Sequence, residues 1–118
     1  MNNYNTNTTN YYSCNGQHVH ELIGSTVFSG ACNGCHNHRF ATISGEAIEA
    51  DGSHYHNISL RTDTHDDHYH EFCGASSLAI PTGDGRHVHF ASGTTRSSDG
   101  HVHRFRAASM INNPTESC

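Results

Sequence analysis

Histidine pairs dominate this chain: six copies of the motif His-x-His use twelve of its thirteen histidines. In a β-strand the side chains of residues i and i+2 point to the same face, about 6.5 Å apart along the backbone. Each motif therefore presents two imidazole rings side by side, and imidazole is a leading protein ligand for zinc, copper and nickel. One such pair is weak evidence for a metal site, whereas six at ordered spacing predict one. The motif histidines are His18, His20, His36, His38, His54, His56, His68, His70, His87, His89, His101 and His103.

The six motifs also form three consecutive pairs, and each pair defines one repeat. The three repeats begin at residues 18, 54 and 87. The second and third repeats align at a constant offset of 33 residues, and the first fits with a few extra residues around positions 30–34. Turn signals separate short runs rich in β-branched and aromatic residues, and no segment has helical periodicity. We predict an all-β fold, a small barrel or sandwich built from three pseudo-repeats of short strands, each carrying two His-x-His strands.

The two ends of the chain differ in composition from the repeats. Residues 1–16 form an Asn- and Thr-rich polar arm, residues 17–113 the repeat domain, and residues 114–118 a tail that ends in cysteine. A disordered arm is one interpretation of residues 1–16. The other is an added strand on a neighbouring subunit, which would make the protein its own partner in a homo-oligomer or homo-polymer.

The residue two positions beyond each motif indicates which face the histidines occupy. Five of these six residues are large and apolar, so the histidines are expected to share a face with the core. A buried imidazole without partners costs on the order of 1–3 kcal/mol, which favours metal coordination over a ladder of hydrogen-bonded histidines. The six positions are Leu22, Phe40, Ile58, Phe72, Ala91 and Phe105.

Strand spacing suggests how the ligands could be grouped. Neighbouring strands lie about 4.8 Å apart, so two adjacent pairs would supply four imidazoles to one centre. Twelve ligands would then form about three or four centres, either one per repeat or arranged around a shared axis. Ligand type favours copper(II), with zinc and nickel as alternatives. The second ring nitrogens would donate to backbone carbonyls or to nearby carboxylates. The nearest carboxylates in sequence are Glu21, Asp66, Asp67 and Glu71, and His65 is expected to be a surface histidine.

An enzymatic role is not indicated. Catalytic zinc sites combine three ligands with an open position and a general base. Here the ligand pattern repeats evenly, no repeat carries a distinguishing acid–base set, and neither a nucleophile elbow nor a phosphate loop is present. We therefore expect no catalytic residues.

The five cysteines suggest covalent links, since an odd number leaves at least one thiol free or joined to another chain. Cys14 and Cys118 lie outside the repeats and are candidates for disulfides between subunits. Cys32 and Cys35 form a single C-x-x-C, for which we favour a disulfide that staples the loop or joins subunits. Cys73 is either a packed thiol or a further disulfide partner.

Composition excludes several other classes of function. The net charge is −5 and all six basic residues are scattered arginines, which argues against nucleic-acid binding. No apolar stretch is long enough to cross a bilayer, and the first ten residues lack the features of a secretory signal. With 33% hydrophobic residues and no Trp, the core needs help from metal, disulfides or assembly.

Several segments resemble the YmaF-like family of small bacterial proteins. They are His36-Asn37-His38-Arg39-Phe40-Ala41, Gly45-Glu46-Ala47-Ile48, Asp67-His68-Tyr69-His70-Glu71, Gly85-Arg86-His87-Val88-His89-Phe90 and the opening segment 18–26. The resemblance covers roughly residues 16–111. The cysteine-rich loop at 31–35 and the cysteine near each end depart from the family pattern, and we associate these departures with covalent assembly.

These observations predict a non-enzymatic, transition-metal-binding β protein that self-assembles, as a fibre subunit on the cell or spore surface. A soluble protein that stores or buffers metal is the alternative, with a cytoplasmic location. A metal-dependent enzyme or sensor is a third and weaker hypothesis.

Overall fold

The computed structural model describes residues 16–29 and 34–115, and these residues form nine β-strands and no helix. The all-β prediction is therefore confirmed. In the described part of the chain there is accordingly no helix that could span a membrane. The strands are β1 Glu21–Ser25, β2 Arg39–Ile43, β3 Ala47–Ala50, β4 Ser53–Arg61, β5 Glu71–Ala75, β6 Ile80–Pro81, β7 His87–Val88, β8 Phe90–Thr94 and β9 Arg104–Ala108.

Three antiparallel pairs of strands build the body of the domain: β1–β2, β4–β5 and β8–β9, one from each sequence repeat. β3 extends the second pair by pairing with β4, and β6 pairs with β7. Neighbouring pairs meet along β2–β4, β5–β8 and β9–β1. The three pairs thus surround one core with pseudo-threefold symmetry, without forming a single hydrogen-bonded barrel.

Backbone hydrogen bonds join the pairs at both ends of the core. At one end the amides of Gly45, Ser77 and Met110 donate to carbonyls of the next pair at 2.8–3.0 Å. At the other end the amides of Val27, Asp63 and Arg96 donate to carbonyls of the preceding pair at 2.8 Å. Each set contains one residue from each repeat, so these bonds place all three repeats in the same register.

The core lies between these two ends and consists of the apolar residues that follow the histidine motifs. Five of the six predicted positions are buried, Phe72 packs against them, and Leu60 completes the cluster. The Phe105 ring packs edge-on against Phe40 and Phe72, with centroids 5.3 and 4.9 Å apart. A Cβ on Gly93 would lie 2.3 Å from the Phe72 ring, so this strand glycine leaves the space that the ring fills.

Several sequence predictions fall on residues that the structure does not describe, including the arm over 1–15, the end of the tail at 116–118, and Cys14, Cys32 and Cys118. Cys35 is half-buried and directly precedes His36. Cys73 is an exposed free thiol on β5, with its Sγ 3.6 Å from Ser59 Oγ. Cys73 is therefore not a packed thiol, because the side chain points outward from the strand pair, and its role as a disulfide partner stays a prediction.

Candidate metal centres

Strand direction determines which histidines meet. Each motif lies at the start of a strand of the core, and the two strands of each pair run in opposite directions. Alternate motifs therefore lie at opposite ends of the domain. One end carries cage 1, which consists of His18, His20, His54, His56, His87 and His89. The other carries cage 2, which consists of His36, His38, His68, His70, His101 and His103.

The predicted grouping of four imidazoles into three or four centres is thus wrong. All twelve predicted ligands are brought together, but as two groups of six. The prediction combined two motifs on neighbouring strands, whereas the two motifs of one repeat lie at opposite ends of the domain and each cage takes one motif from every repeat.

The rings of each cage are arranged as the corners of an octahedron. In cage 1 every ring lies edge to face with its neighbours, with centroids 4.4–5.2 Å apart, and faces one opposite ring across the centre. Cage 2 repeats the arrangement with centroids 4.7–5.1 Å apart. The opposite pairs are His18/His89, His20/His54 and His56/His87 in cage 1, and His36/His70, His38/His101 and His68/His103 in cage 2.

The Nε2 atoms of the rings point at one another. His87 Nε2 lies 3.0 Å from the Nε2 atoms of His18 and His54 and 3.2 Å from that of His20. The corresponding distances in cage 2 are 3.2–3.3 Å. All six ligand atoms of cage 1 lie within 4.8 Å of one another. These distances enclose a space the size of one metal ion.

Each cage has an inner and an outer triangle of rings. The second histidine of each motif forms the inner triangle, and these six rings are at most 2% exposed. The first histidine of each motif forms the outer triangle, nearer the surface. Every opposite pair joins one inner ring to one outer ring. The inner rings are His20, His56 and His89 in cage 1 and His38, His70 and His103 in cage 2.

Backbone carbonyls fix the orientation of the inner rings. Each inner Nδ1 donates to a carbonyl oxygen at 2.8–3.0 Å, for example His56 to Gly45 and His103 to Val27. A carbonyl only accepts hydrogen bonds, so Nδ1 carries the hydrogen and Nε2 presents a lone pair. Four outer rings bond in the same way, at 2.8–3.5 Å, to the carbonyl two residues earlier. The lone pairs are thereby directed toward the centre of each cage.

Buried hydroxyls hold the backbone of the inner histidines, and the sequence analysis missed them. The amides of His20, His56 and His89 donate to serine Oγ atoms at 3.0 Å. In cage 2 threonines accept the corresponding bonds at 2.9–3.0 Å. The signal was present in the repeat, because the second and third repeats carry these hydroxyls at the same offset of 33 residues. The hydroxyl residues are Ser44, Ser76 and Ser109 in cage 1 and Thr26, Thr62 and Thr95 in cage 2.

Three of these inward lone pairs have no partner in the described part of the chain. His56, His89 and His103 each present a fully buried Nε2 without a hydrogen-bond partner among the described residues. Converging lone pairs about 3 Å apart repel one another, and an unsatisfied buried polar atom costs about 1–3 kcal/mol. A cation at the centre of each cage would remove both costs. The donor set therefore fits a transition-metal ion.

The cages favour neutral imidazole, which is the form that binds metal. Burial lowers the pKa of His87 from 6.5 to about 3, with a further contribution from neighbouring rings. Burial likewise lowers the pKa of His20 and His54 to about 4, although the Met110 carbonyl opposes the shift at His20. Burial also lowers the pKa of inner rings in cage 2, His70 and His103. At neutral pH these rings are unprotonated.

Carboxylates support cage 2, but not the ones predicted. Asp63 Oδ1 lies 3.2 Å from His38 Nδ1, and Asp99 Oδ2 lies 3.7 Å from His68 Nδ1. Among the four predicted carboxylate residues, Asp66 approaches a cage only through its backbone carbonyl. His65 lies outside the cage, half exposed, with its ring stacked on His36 at 4.4 Å.

A surface cavity of about 320 Å³ leads to cage 1. Its lining includes the outer rings His18, His54 and His87 together with Gln17 and Glu49. The outer triangle is therefore the route from solvent to the centre of cage 1.

Comparison with known proteins gives one finding. Residues 15–111 match the YmaF family model, which is described as spore germination protein GerY/YamF. Neither the curated proteins nor the solved structures contain a match to the chain.

Proposed function

Since this chain belongs to the YmaF family, whose model matches residues 15–111, we propose that it is a non-enzymatic protein that binds two transition-metal ions, one in each cage. The observation that carries this proposal is the convergence of Nε2 lone pairs. Six imidazoles direct these atoms toward one centre, with the closest Nε2–Nε2 contacts at 3.0–3.3 Å, and their Nδ1 atoms are largely committed to backbone carbonyls. A ladder of hydrogen-bonded histidines would need Nε2 hydrogens that this tautomer lacks.

A full set of ligands supports a structural rather than a catalytic role. An ion held by six imidazoles has no coordination position left for water or substrate, whereas catalytic metals keep one open. Because every ion would join all three repeats, binding and folding are coupled. The limited apolar core makes that contribution to stability important.

The proposal includes self-assembly, as a fibre subunit on the cell or spore surface. Exposed apolar side chains on the strand pairs support it, because Ile23 and Ile43 are 67% and 64% exposed on paired strands. The family description, which concerns spore germination, is consistent with a spore location. Microscopy and size exclusion should show large species that shrink when Cys14→Ser and Cys118→Ser are combined. Monomers alone under oxidising conditions would contradict this part.

Storage or buffering of metal is the alternative function, and the structure of the sites argues against it. A buffer must release its ion readily, but half of the ligands in each cage are at most 2% exposed and are fixed by two hydrogen bonds. Slow exchange suits an ion that remains bound for the lifetime of the fold.

Elemental analysis of the full chain, purified without added metal, tests metal binding. We expect two equivalents of transition metal per chain, and a chelator that removes them should lower the melting temperature. The matched control is His65→Ala, which removes an imidazole outside the cages and should leave the number of bound ions unchanged. A chain that neither retains metal nor takes up added Ni²⁺ would refute the proposal.

A further inference from the structure

We infer that each cage is built for one divalent ion that takes six nitrogen ligands in a regular octahedron, the class that includes nickel(II), cobalt(II) and iron(II), and not for copper(II) or zinc(II). This inference rests on the proposed metal-binding function and specifies which ions serve it. Ligand type alone favours copper(II), whereas the number and arrangement of the ligands favour an ion with regular octahedral coordination.

The spacing of the Nε2 atoms matches an octahedral site. The closest Nε2–Nε2 contacts, three in cage 1 and four in cage 2, are 3.0–3.3 Å long, and a regular octahedron with edges of this length has its centre about 2.1–2.3 Å from each corner, close to or slightly above the usual imidazole–metal bond length. Opposite corners would then be about 4.2–4.7 Å apart, consistent with the 4.8 Å limit within which all six ligand atoms of cage 1 lie. In cage 2 five of the six ligand atoms form the corresponding compact group, and His70 Nε2 joins it through a 3.3 Å contact with His101 Nε2. These distances fit six ligands around one ion.

A tetrahedral ion does not fit this arrangement. Zinc prefers four ligands. If zinc bound the inner triangle, its fourth ligand would have to lie on the threefold axis. The outer rings His18, His54 and His87 stand around that axis, each opposite an inner ring, and none lies on it. Binding zinc tetrahedrally would therefore distort the outer triangle and leave two rings unused.

An elongated copper site does not fit either. Copper(II) favours a tetragonal geometry, with two opposite ligands bound weakly or not at all. Every opposite pair in the cages contains an inner ring, such as His20 opposite His54. The inner ring cannot withdraw, because its Nδ1 is bonded to a carbonyl at 2.8–3.0 Å and its ring is at most 2% exposed. Elongation along any axis would leave a buried Nε2 poorly bound.

Cobalt(II) is a suitable probe because its visible spectrum reports coordination number. The full chain is stripped of metal and loaded with Co²⁺ alone. We expect two Co²⁺ per chain, the weak absorption of octahedral cobalt, and an X-ray absorption spectrum with a single shell of six nitrogens. The intense blue bands of tetrahedral cobalt, or oxygen ligands in the shell, would overturn the inference while leaving metal binding intact.

Competition with zinc gives a second and independent measurement. In ordinary tetrahedral sites Zn²⁺ displaces Co²⁺, since it binds more tightly. In the cages an equal concentration of Zn²⁺ should displace less than half of the bound Co²⁺, and near-complete displacement would contradict the inference. His18→Ala should admit water to cage 1 and change the cobalt spectrum of one ion only, and His101→Ala should do the same for cage 2. The control His65→Ala should leave the spectrum unchanged, and an unchanged spectrum in both cage variants would also overturn the inference.

Discussion

Cage 1 and cage 2 share one ligand geometry but have different electrostatic surroundings. In cage 1 the inner Nδ1 atoms contact backbone carbonyls and serine hydroxyls but no carboxylate, serines accept the inner amides, and all three outer rings line a surface cavity. In cage 2 threonines replace the serines, Asp63 and Asp99 stand beside the rings, and His65 covers His36. The comparison teaches that the repeat determines how many ligands meet, while residues outside the repeat pattern determine the charge around them.

The carboxylates beside cage 2 predict which of the two cages binds its ion more tightly. A carboxylate that accepts from Nδ1 makes the ring a stronger donor to metal, and its negative charge offsets that of the cation. Cage 2 should therefore bind its ion more tightly and exchange it more slowly than cage 1.

The largest effect is expected from removing one cage at a time. His54→Ala with His56→Ala should leave one ion per chain, held in cage 2, and His68→Ala with His70→Ala should leave one ion in cage 1. Each loss should cost about 4 kcal/mol of stability when free metal is a thousand times the dissociation constant. Elemental analysis measures the number of bound ions, and thermal unfolding measures the loss of stability. Two ions retained by either variant would show that the cages are not independent sites.

Acid should destabilise the metal-free protein chiefly through cage 1. His20 titrates near 6.5 when unfolded but near 4 when folded, so the unfolded chain binds more protons between these values. Stability is then fully present above about pH 6.5 and is lost as the pH falls toward 4, by up to about 3 kcal/mol for His20 alone. Urea unfolding at several pH values measures the loss. The variant without His54 and His56 should depend less on pH, and an equal dependence would contradict the assignment to cage 1.

Asp63→Asn tests the carboxylate difference directly. The amide keeps an oxygen to accept the Arg39 amide, now 2.9 Å from Asp63 Oδ1, but removes the charge beside His38. Supporting partners of this kind typically contribute 10–100-fold in metal affinity, so we expect a loss of about that size in cage 2. Titration with Ni²⁺ in the variant lacking His54 and His56 reads cage 2 alone. An unchanged affinity would indicate that the two cages differ only in access.

The smallest effect concerns the hydroxyls. Ser76→Ala in cage 1 and Thr62→Val in cage 2 each remove the acceptor of an inner-histidine amide, and each should cost about 1–2 kcal/mol without changing the number of bound ions. Thr62→Ser, which keeps the hydroxyl, is the matched control and should cost less than Thr62→Val. A loss of metal in either hydroxyl variant would mean that these residues do more than hold the backbone.

Much of the fold and the full ligand set follow from local periodicity. The motif and the apolar residue after it share one face of a strand, so Leu22 and Phe105 were placed in the core and the histidines beside them. The alignment at 33 residues likewise predicted three repeats. Periodicity along one strand shows which side chains share a face of that strand, but it does not show which strand lies beside it.

The grouping of the ligands could not be read from the same pattern. Whether His20 meets His38 or His56 depends on strand direction and on the closure of three pairs around one core, and both are long-range properties. The prediction of the carboxylate partners was wrong for a similar reason. Asp63 reaches His38 across neighbouring strand pairs, although the two residues are 25 positions apart in sequence. The nearest carboxylates in sequence were the wrong ones.

The octahedral cages have one consequence for the unfolded chain. An ion bound in cage 1 would join His18 to His89, 71 positions further along. A link between two points so far apart removes loop conformations from the denatured ensemble. In the chain-entropy model used for disulfides, this loss stabilises the folded state by about 4 kcal/mol. Unlike a disulfide, a coordination bond needs no oxidant and forms again after it breaks, so this link would also form in reducing surroundings.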